Sequence, residues 1–276
     1  MTFAASLSLL GAALLMSALA AAVAGCGGLP LFALEGVMLA GGLTGVLFSH
    51  EPVWFSLLAA GGAGAAAALL WGLLLLRRRG NPVLAGAAFN SIAAAAAMIA
   101  AQLIGGVSYT RKGYWLEIAG ENVTVFLPVA LGMLLIVWLL LFHTRWGLRL
   151  CFCGQSAAPE KMGVRVRAVR FFGLLLAGFI GGVGGLSALL SLGAGWRMAW
   201  GVGGLGYAAL AIAWAGKYGP FRILAASALF TLIYGGAAWL DAPESALHAM
   251  PILAALALLT IAGRKRPREK DCAMPL

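Results

Sequence analysis

Charged residues are scarce in this chain. Only 10% of its 276 residues are Asp, Glu, Lys or Arg, whereas hydrophobic residues make up 62%. A soluble globular chain carries about 25% charged residues, because its surface must face water. The scarcity of charge excludes a soluble protein, and the long apolar runs indicate a polytopic membrane protein.

The chain also lacks the motifs of ATPases, pumps and membrane proteases. It contains no G-x-x-x-x-G-K-[ST] motif, so it has no ATPase site of that kind. Its apolar segments hold no H-E-x-x-H motif, no paired aspartates, no chain of ionisable residues and no arginine ladder. We therefore expect a protein that is not an enzyme, binds no cofactor directly and takes its energy from a partner.

Cysteine is rare as well. The four cysteines are Cys26, Cys151, Cys153 and Cys272. They form no disulfide framework, and the C-x-C at 151–153 has no histidine or second cysteine pair nearby. Structural zinc sites use four such ligands. The sequence therefore predicts no metal centre.

Nine apolar segments predict an all-α integral membrane protein. A helix needs about 20 residues to cross the hydrocarbon core. The segment at 200–215 is short and glycine-rich, so eight spans plus one broken or re-entrant span is the alternative. The predicted segments are 4–24, 30–48, 53–76, 82–105, 124–143, 170–192, 200–215, 220–239 and 248–263.

The distribution of cations predicts the orientation. Sixteen of the 19 Lys and Arg residues fall on one side of the predicted spans, in loops or in the tail. The positive-inside rule makes that side cytoplasmic, with the N-terminus outside and the C-terminus inside. We expect a single transmembrane domain at 1–263, with a cytoplasmic loop at 144–170. The basic tail at 264–276 is expected to contact the lipid bilayer rather than nucleic acid.

The first apolar segment has two interpretations. The run from Val23 to Cys26 is similar to a lipoprotein cleavage site. However, the first 25 residues contain no Lys or Arg, and a signal peptide has a positive n-region. The sequence therefore favours a retained first helix.

Few polar residues lie inside the predicted spans, and they are candidates for function. Glu35 is essentially the only ionisable one, and Pro30 and Gly36 predict an interrupted helix around it. It either lines or gates a pathway, or it hydrogen-bonds backbone freed by the break. Asn90 either bonds another helix or contacts a polar solute. Asn81, before a proline, is a natural helix start.

Small residues spaced four apart recur in the apolar segments. Such pairs let helices approach closely in lipid, so we interpret them as packing sites rather than solute contacts. The pairs are Gly41/Gly45, Gly178/Gly182 and Gly181/Gly185.

The basic loop carries a family resemblance. TRWGLRLCFCGQSAAPEKMGVRVRAVR at 144–170, followed by a glycine-rich span, resembles the permease subunits of bacterial ABC importers for nucleosides and simple sugars. LEGVMLAGG, NPVLAGAAFN and GLGYAALAIAWAGKYGPFRILAASALF, in that order along the chain, are also similar to segments of that family. The chain departs from the family where Gln155-Ser156 replaces Glu-Asn and Pro159 is displaced. The loop residues that match are Thr144, Trp146, Gly147, Leu148, Gly154 and Gly163.

The resemblance implies a set of partners in a bacterial inner membrane. We expect a homologous second permease subunit, an ABC ATPase subunit that uses the ATP, and an extracytoplasmic substrate-binding protein. The loop at 154–163 is expected to form the coupling helix that docks on the ATPase. The coupling residues implied are Gly154, Gln155, Pro159, Glu160, Lys161, Met162 and Gly163.

The sequence therefore predicts a permease whose pathway carries a nucleoside or simple sugar. Scarce charge in the spans favours a neutral solute over a zwitterion. The alternatives are a branched-chain amino-acid ABC permease and a stand-alone secondary carrier or polytopic membrane enzyme. The candidate pathway residues are Glu35, Asn81, Phe89, Asn90 and Tyr207.

Overall fold

The computed structural model describes residues 3–78, 81–103, 115–118, 121–155, 165–192 and 202–239. These residues form helices and one short hairpin. In chain order, the elements are α1 (Phe3–Cys26), α2 (Leu34–Leu47), α3 (Val53–Arg78), α4 (Pro82–Leu103), β1 (Trp115–Ile118), β2 (Glu121–Thr124), α5 (Phe126–His143), α6 (Arg145–Gln155), α7 (Val166–Leu192), α8 (Leu205–Ala215) and α9 (Pro220–Trp239).

The helical membrane architecture is confirmed. Eight of the nine predicted apolar segments contain a helix, whereas the segment at 248–263 and the tail at 264–276 lie outside the described residues. Among the described helices, α1, α3, α4, α5 and α7 are long and apolar enough to cross a membrane. The total number of spans and the direction of the termini stay predictions.

The hairpin of β1 and β2 is a small addition to the predicted all-α class. The two strands pair antiparallel, with Trp115 opposite Thr124 and Ile118 opposite Glu121. Aromatic and β-branched residues favour extended backbone, but strands of four residues are too short for a clear alternating pattern in the sequence. The hairpin lies between α4 and α5, in a loop that is predicted to lie on the extracytoplasmic side of the membrane.

Helix α1 lies in the centre of the fold. It is apolar on every side, and a helix of that kind must be buried. Its side chains from Ala12 to Ala24 are buried throughout, and α7, α9, α8 and α5 all pack on it. Retention of this first helix in the mature protein stays a prediction.

Glycines allow the closest helix contacts, as the small-residue pairs predict. Helix α7 crosses α3 so closely that a Cβ added at Gly64 would lie 2.6 Å from the Cα of Gly182. A Cβ added at Gly185 would collide with the carbonyl oxygen of Met38 on α2. Backbones that approach this closely gain van der Waals contact, which drives helix association in lipid.

The two ends of the bundle separate the loops as the charge pattern predicts. At one end, Gly154 of α6 packs on the backbone of Cys26, and Tyr218 packs on Gly25. At the other end, the Thr124 hydroxyl of the hairpin lies 3.5 Å from the Ser8 hydroxyl near the start of α1. Two of the regions predicted to be cytoplasmic, α6 and the turn after α8, therefore lie at one end of the bundle, and the hairpin lies at the opposite end.

Candidate functional site

The chain is irregular between α1 and α2, as Pro30 predicts. Gly28 has a left-handed backbone with φ of 75°. The Phe32 N–H donates to the Pro30 carbonyl over 2.9 Å, which makes a tight turn, and the Leu34 N–H donates to the Leu31 carbonyl. Helix α2 starts only after this turn. Its first turn therefore places Glu35 inside the bundle rather than at the outer end of a long span.

Glu35 is bonded to the start of α8, which lies far from it in the sequence. The Gly204 N–H donates to one carboxylate oxygen, Oε1, over 3.0 Å. The Gly206 N–H donates to the other oxygen, Oε2, over 2.7 Å. Both oxygens of the carboxylate are therefore engaged by the backbone of another helix.

The carboxylate caps α8 from outside its own sequence. The first N–H groups of a helix have no partner within the helix, and its N-terminus carries partial positive charge. Gly204 is the N-cap residue of α8 and offers no side chain, and its φ of 77° follows a φ of 71° at Gly203. Glu35 supplies the missing acceptors. Both of its oxygens accept in these bonds, so the ionised form fits the cap.

Only glycine fits at the second contact. A Cβ added at Gly206 would lie 2.5 Å from Glu35 Oε2 and 2.8 Å from the Glu35 Cα. The Gly-Gly-Leu-Gly sequence at 203–206 thus serves the turn and the close approach of α2 to α8 together.

Asn90 joins three segments at the same place. Its side-chain oxygen, Oδ1, accepts the Gly36 N–H over 2.9 Å. Its amide nitrogen, Nδ2, donates to the Phe32 carbonyl over 3.1 Å and to the Tyr207 hydroxyl over 3.0 Å. Asn90 is buried, with 7% of its surface exposed. It therefore links α4 to the start of α2 and to α8.

The structure brings together four of the five predicted pathway residues. Glu35, Asn90 and Tyr207 share the contacts above, and the Phe89 ring lies 3.1 Å from a Cβ added at Gly36. We call Glu35, Phe89, Asn90 and Tyr207 the polar junction. Their bonds account for the polar atoms as links between helices, and a role in a pathway stays a prediction.

Asn81 does not join the polar junction. Its side-chain oxygen accepts the Val83 N–H over 3.0 Å at the exposed start of α4. This is the helix start that the Asn-Pro pair predicts. At 1.5 Å per residue, the helix places Asn81 about 14 Å from Asn90 along its axis.

The predicted coupling loop is only partly described. Gln155 ends α6, and Gly154 packs so tightly on Cys26 and Gly28 that a side chain at 154 would collide with their backbone. The other five predicted coupling residues lie outside the described residues: Pro159, Glu160, Lys161, Met162 and Gly163.

Arg170 fixes both flanks of this loop to the end of α1. Its Nε donates to the Gly27 carbonyl over 3.2 Å, and its Nη2 donates to the Cys153 carbonyl over 2.9 Å. Arg170 belongs to α7, after the loop, whereas Cys153 belongs to α6, before it. Hydrogen bonds from a charged donor are stronger than those between neutral groups. Arg170 is one of the 16 cations that predict the orientation, and the sequence contains no signal of these two contacts.

Two thiols of α6 have different environments. The Cys26 side chain is hydrogen-bonded to the Cys151 sulfur and lowers the pKa of the Cys151 thiol, against the opposing effect of burial. Burial raises the pKa of the Cys153 thiol, and the nearby Arg170 opposes that rise. Within the described part of the chain, no group of three or more His, Cys, Asp or Glu residues could hold a metal ion.

Two known proteins are similar to this chain in sequence. The chain is 33% identical over 132 residues to the nucleoside ABC transporter permease protein NupC of Lactococcus lactis, a match that covers 44% of this chain and 41% of NupC. It is 29% identical over 244 residues to the guanosine ABC transporter permease protein NupQ of Bacillus subtilis, covering 79% of this chain and 76% of NupQ. The match with NupC therefore spans less than half of either protein. No solved structure matches the chain.

A family sequence model covers nearly the whole chain. The match runs from residue 3 to residue 261, and the family is described as the permease component of branched-chain amino acid transport systems. It includes every described helix and the polar junction. Together with the two relatives, it confirms the resemblance to ABC permeases that the sequence motifs carry. The chain therefore belongs to this family of transport-system permeases.

Proposed function

We propose that the chain is the membrane-spanning permease subunit of an ATP-driven ABC importer for nucleosides. Its two relatives above are nucleoside and guanosine permeases by name. The observation that carries the proposal is the short helix α8, whose N-terminus meets Glu35 within the helix bundle. The polar junction is then part of the translocation pathway.

The length of α8 supports this interpretation. Its 11 residues extend about 16 Å, roughly half of a hydrocarbon core of about 30 Å. Irregular backbone at membrane depth is tolerated only where it is buried in protein or lines a cavity. In transporters, such discontinuous helices form solute sites near the middle of the membrane. The polar junction lies at this depth in our proposal, whereas Asn81 lies nearer the membrane surface.

The location of the basic residues in the described helices favours a solute without a charged carboxylate. Every Lys and Arg among the described residues lies in α6, in a turn, or at a helix end that is predicted to be cytoplasmic. Within that part of the chain, the polar junction therefore has no cation to hold a carboxylate. A branched-chain amino acid, the solute class in the family's description, is the second candidate.

The coupling step is proposed for the loop at 154–163. Arg170 holds the two flanks of the loop and the Gly27 carbonyl together. The end of α1 leads through residues 27–33 directly into Glu35 and α2. A displacement of the loop by the ATPase would therefore be transmitted to the segment before the polar junction.

The remaining partners follow from the importer class. ATP would be bound and hydrolysed by a separate ABC ATPase, and this chain would bind no cofactor itself. A second, homologous permease subunit would complete the pathway, and an extracytoplasmic binding protein would deliver the nucleoside. The complex would lie in the bacterial inner membrane, with the basic tail at 264–276 on the cytoplasmic side.

Purification from native membranes in mild detergent tests the assembly. We expect mass spectrometry to identify a co-purifying chain with a Walker A motif. Exchanging the Glu160-Lys161 pair for Lys-Glu should remove that chain. The matched control is the same exchange at Glu269-Lys270 in the tail, which should leave it bound. Recovery of the wild-type chain without any ATPase, in several detergents, contradicts the proposal.

Uptake by the purified complex in proteoliposomes tests the solute. We expect ATP-dependent uptake of radiolabelled guanosine that excess leucine does not inhibit. ATP-dependent uptake of leucine without uptake of guanosine would favour the amino-acid permease instead. The variant Glu35→Gln distinguishes either ABC permease from a stand-alone carrier. It should abolish transport that is coupled to an ion and only weaken transport that is driven by ATP.

A further inference from the structure

Helix α8 leaves a single narrow stripe uncovered. Tyr207 and Trp214 are each 42% exposed, and Leu210 between them is partly exposed. The other residues from Leu205 to Ala213 are buried. The uncovered residues are spaced three and four apart, so they share one face of the helix. We call Tyr207, Leu210 and Trp214 the aromatic stripe.

A face against lipid is wider than this stripe. Helix α5 carries four apolar side chains with exposed fractions from 43% to 57%: Leu131, Leu135, Ile136 and Leu139. That breadth is expected of a helix at the outer surface of a bundle. Helix α8 is instead enclosed by protein on all sides but one, as a helix that borders a confined passage would be.

The stripe begins at the polar junction. The Tyr207 hydroxyl accepts a hydrogen bond from Asn90, so one end of its ring is tethered while the ring stays exposed. Trp214 follows two turns later, about 10 Å further along the helix axis. Helix α8 ends near Tyr218, which packs on Gly25 at the end predicted to be cytoplasmic. The stripe thus extends from the polar junction toward that end.

We infer that the aromatic stripe lines the inner half of the translocation pathway, and that Trp214 and Tyr207 stack on the planar base of the solute. This inference rests on the proposed function, which supplies the nucleoside. Every nucleobase has a flat aromatic face, and stacking on protein rings holds it without reading its hydrogen-bonding edge. A free sugar has no such face. The stripe would therefore select nucleosides over ribose and accept different bases.

Thiol accessibility tests the stripe in the assembled complex. The four native cysteines are replaced by alanine, and Leu210→Cys is treated with a charged methanethiosulfonate reagent in inside-out vesicles. The matched control is Leu139→Cys on α5, where the native residue is 55% exposed. We expect Leu210→Cys to react at least about ten-fold faster, because the reagent acts on thiolate in water and not on a thiol in lipid. Equal rates, or a faster control, would overturn the inference.

Protection by nucleoside tests the stacking. Guanosine should slow the labelling of Leu210→Cys, and ribose should not. Adding Trp214→Ala should raise the half-protecting guanosine concentration about ten-fold, in line with the effect of alanine substitution on base stacking. Trp214→Phe keeps an aromatic face and should stay within about two-fold of the parent. Trp54→Ala on α3, where the native ring is 62% exposed, is the control and should change nothing.

The outcomes separate the inference from the proposed function. If the wild-type complex imports guanosine but Trp214→Ala leaves half-protection unchanged, the stacking role is wrong and the proposed function stands. If the wild-type complex imports no nucleoside, the proposed function and the stacking role both fail. Labelling of Leu210→Cys still decides in that case whether the stripe faces water. Should Trp214→Ala not assemble, Trp214→Leu takes its place as the variant without a ring.

Discussion

Removal of the Glu35 carboxylate should destabilise the protein through a helix other than its own. Glu35→Ala deletes both acceptors and leaves the Gly204 and Gly206 N–H groups without these bonds at the start of α8. Hydrogen bonds to charged groups contribute about 1.5–3 kcal/mol each in soluble proteins, and polar links between membrane helices average about 0.6 kcal/mol. Two bonds between these limits predict a loss of about 2–4 kcal/mol.

Conservative variants should follow the geometry of the cap. Glu35→Gln keeps one acceptor oxygen but turns an amide group toward the second N–H, so about half of the loss is expected. Glu35→Asp keeps the charge but is shorter by one methylene, so it cannot reach both N–H groups at 2.7 Å and 3.0 Å. We expect the order of stability to be wild type, then Glu35→Gln and Glu35→Asp, then Glu35→Ala.

Unfolding of the detergent-purified chain in sodium dodecyl sulfate, followed by tryptophan fluorescence, measures this loss. Glu51→Ala is the matched control, because Glu51 is exposed in the turn after α2. The control should change the free energy of unfolding by less than about 0.5 kcal/mol. Equal stability of Glu35→Ala and Glu51→Ala would refute the capping role of Glu35.

Three further predictions concern packing, the loop and a thiol. Gly64→Ala should cost about 1–3 kcal/mol by overpacking, whereas Gly62→Ala on the same helix, where nothing lies within 4 Å, should be neutral or slightly stabilising. Thermal unfolding compares the two, and equal midpoints would contradict the close contact of α3 with α7. Arg170→Ala should lower uptake per ATP hydrolysed several-fold in proteoliposomes, while Arg167→Ala, at an exposed position, leaves that ratio unchanged. Unchanged ratios in both variants would exclude the link through Arg170. The pH at which alkylation of Cys151 reaches half of its maximum rate should lie below that of an ordinary thiol, because the lowered pKa of Cys151 gives more thiolate at a given pH. Peptide mass spectrometry measures these rates across the pH range, and a midpoint at or above that of an ordinary thiol would contradict the lowered pKa.

The sequence alone predicts most of the helices and the residues of the polar junction. The lengths of the apolar runs predict the positions of the spans, and Pro30 predicts the break before α2, whereas Gly36 lies within α2 and does not interrupt it. Glu35 stands out because ionisable residues inside membrane spans are rare. Burying a charge in lipid is costly, so such a residue usually has a structural or functional role. The amide of Asn90 stands out in the same way, and the structure shows it bonding other helices as one interpretation expected. These predictions use local signals, which a single sequence contains.

The partners of these residues could not be predicted, because they are mostly backbone. Glu35 bonds the N–H groups of Gly204 and Gly206, and every non-proline residue has such a group. The Arg170 guanidinium likewise bonds carbonyl oxygens. Side-chain identity therefore carries no signal of either contact. The glycine spacing at 203–206 was visible, but its meaning depends on which helix packs there.

The contact between Glu35 and α8 bears on the source of energy for transport. A carrier that couples solute movement to protons or sodium needs an ionisable group that can bind the ion in one state. Both oxygens of the Glu35 carboxylate accept N–H bonds from α8, and the described helices contain no second acidic residue. Protonation of Glu35 would remove the charge that strengthens these two bonds and would therefore weaken the link between α2 and α8. Energy from outside the bundle has a physical route instead, because Arg170 ties the loop flanks to Gly27, shortly before Glu35 in the chain. Glu35 thus holds the N-terminus of α8 in place, and under the proposed function the ATPase would act through the loop at 154–163 rather than through an ion at Glu35.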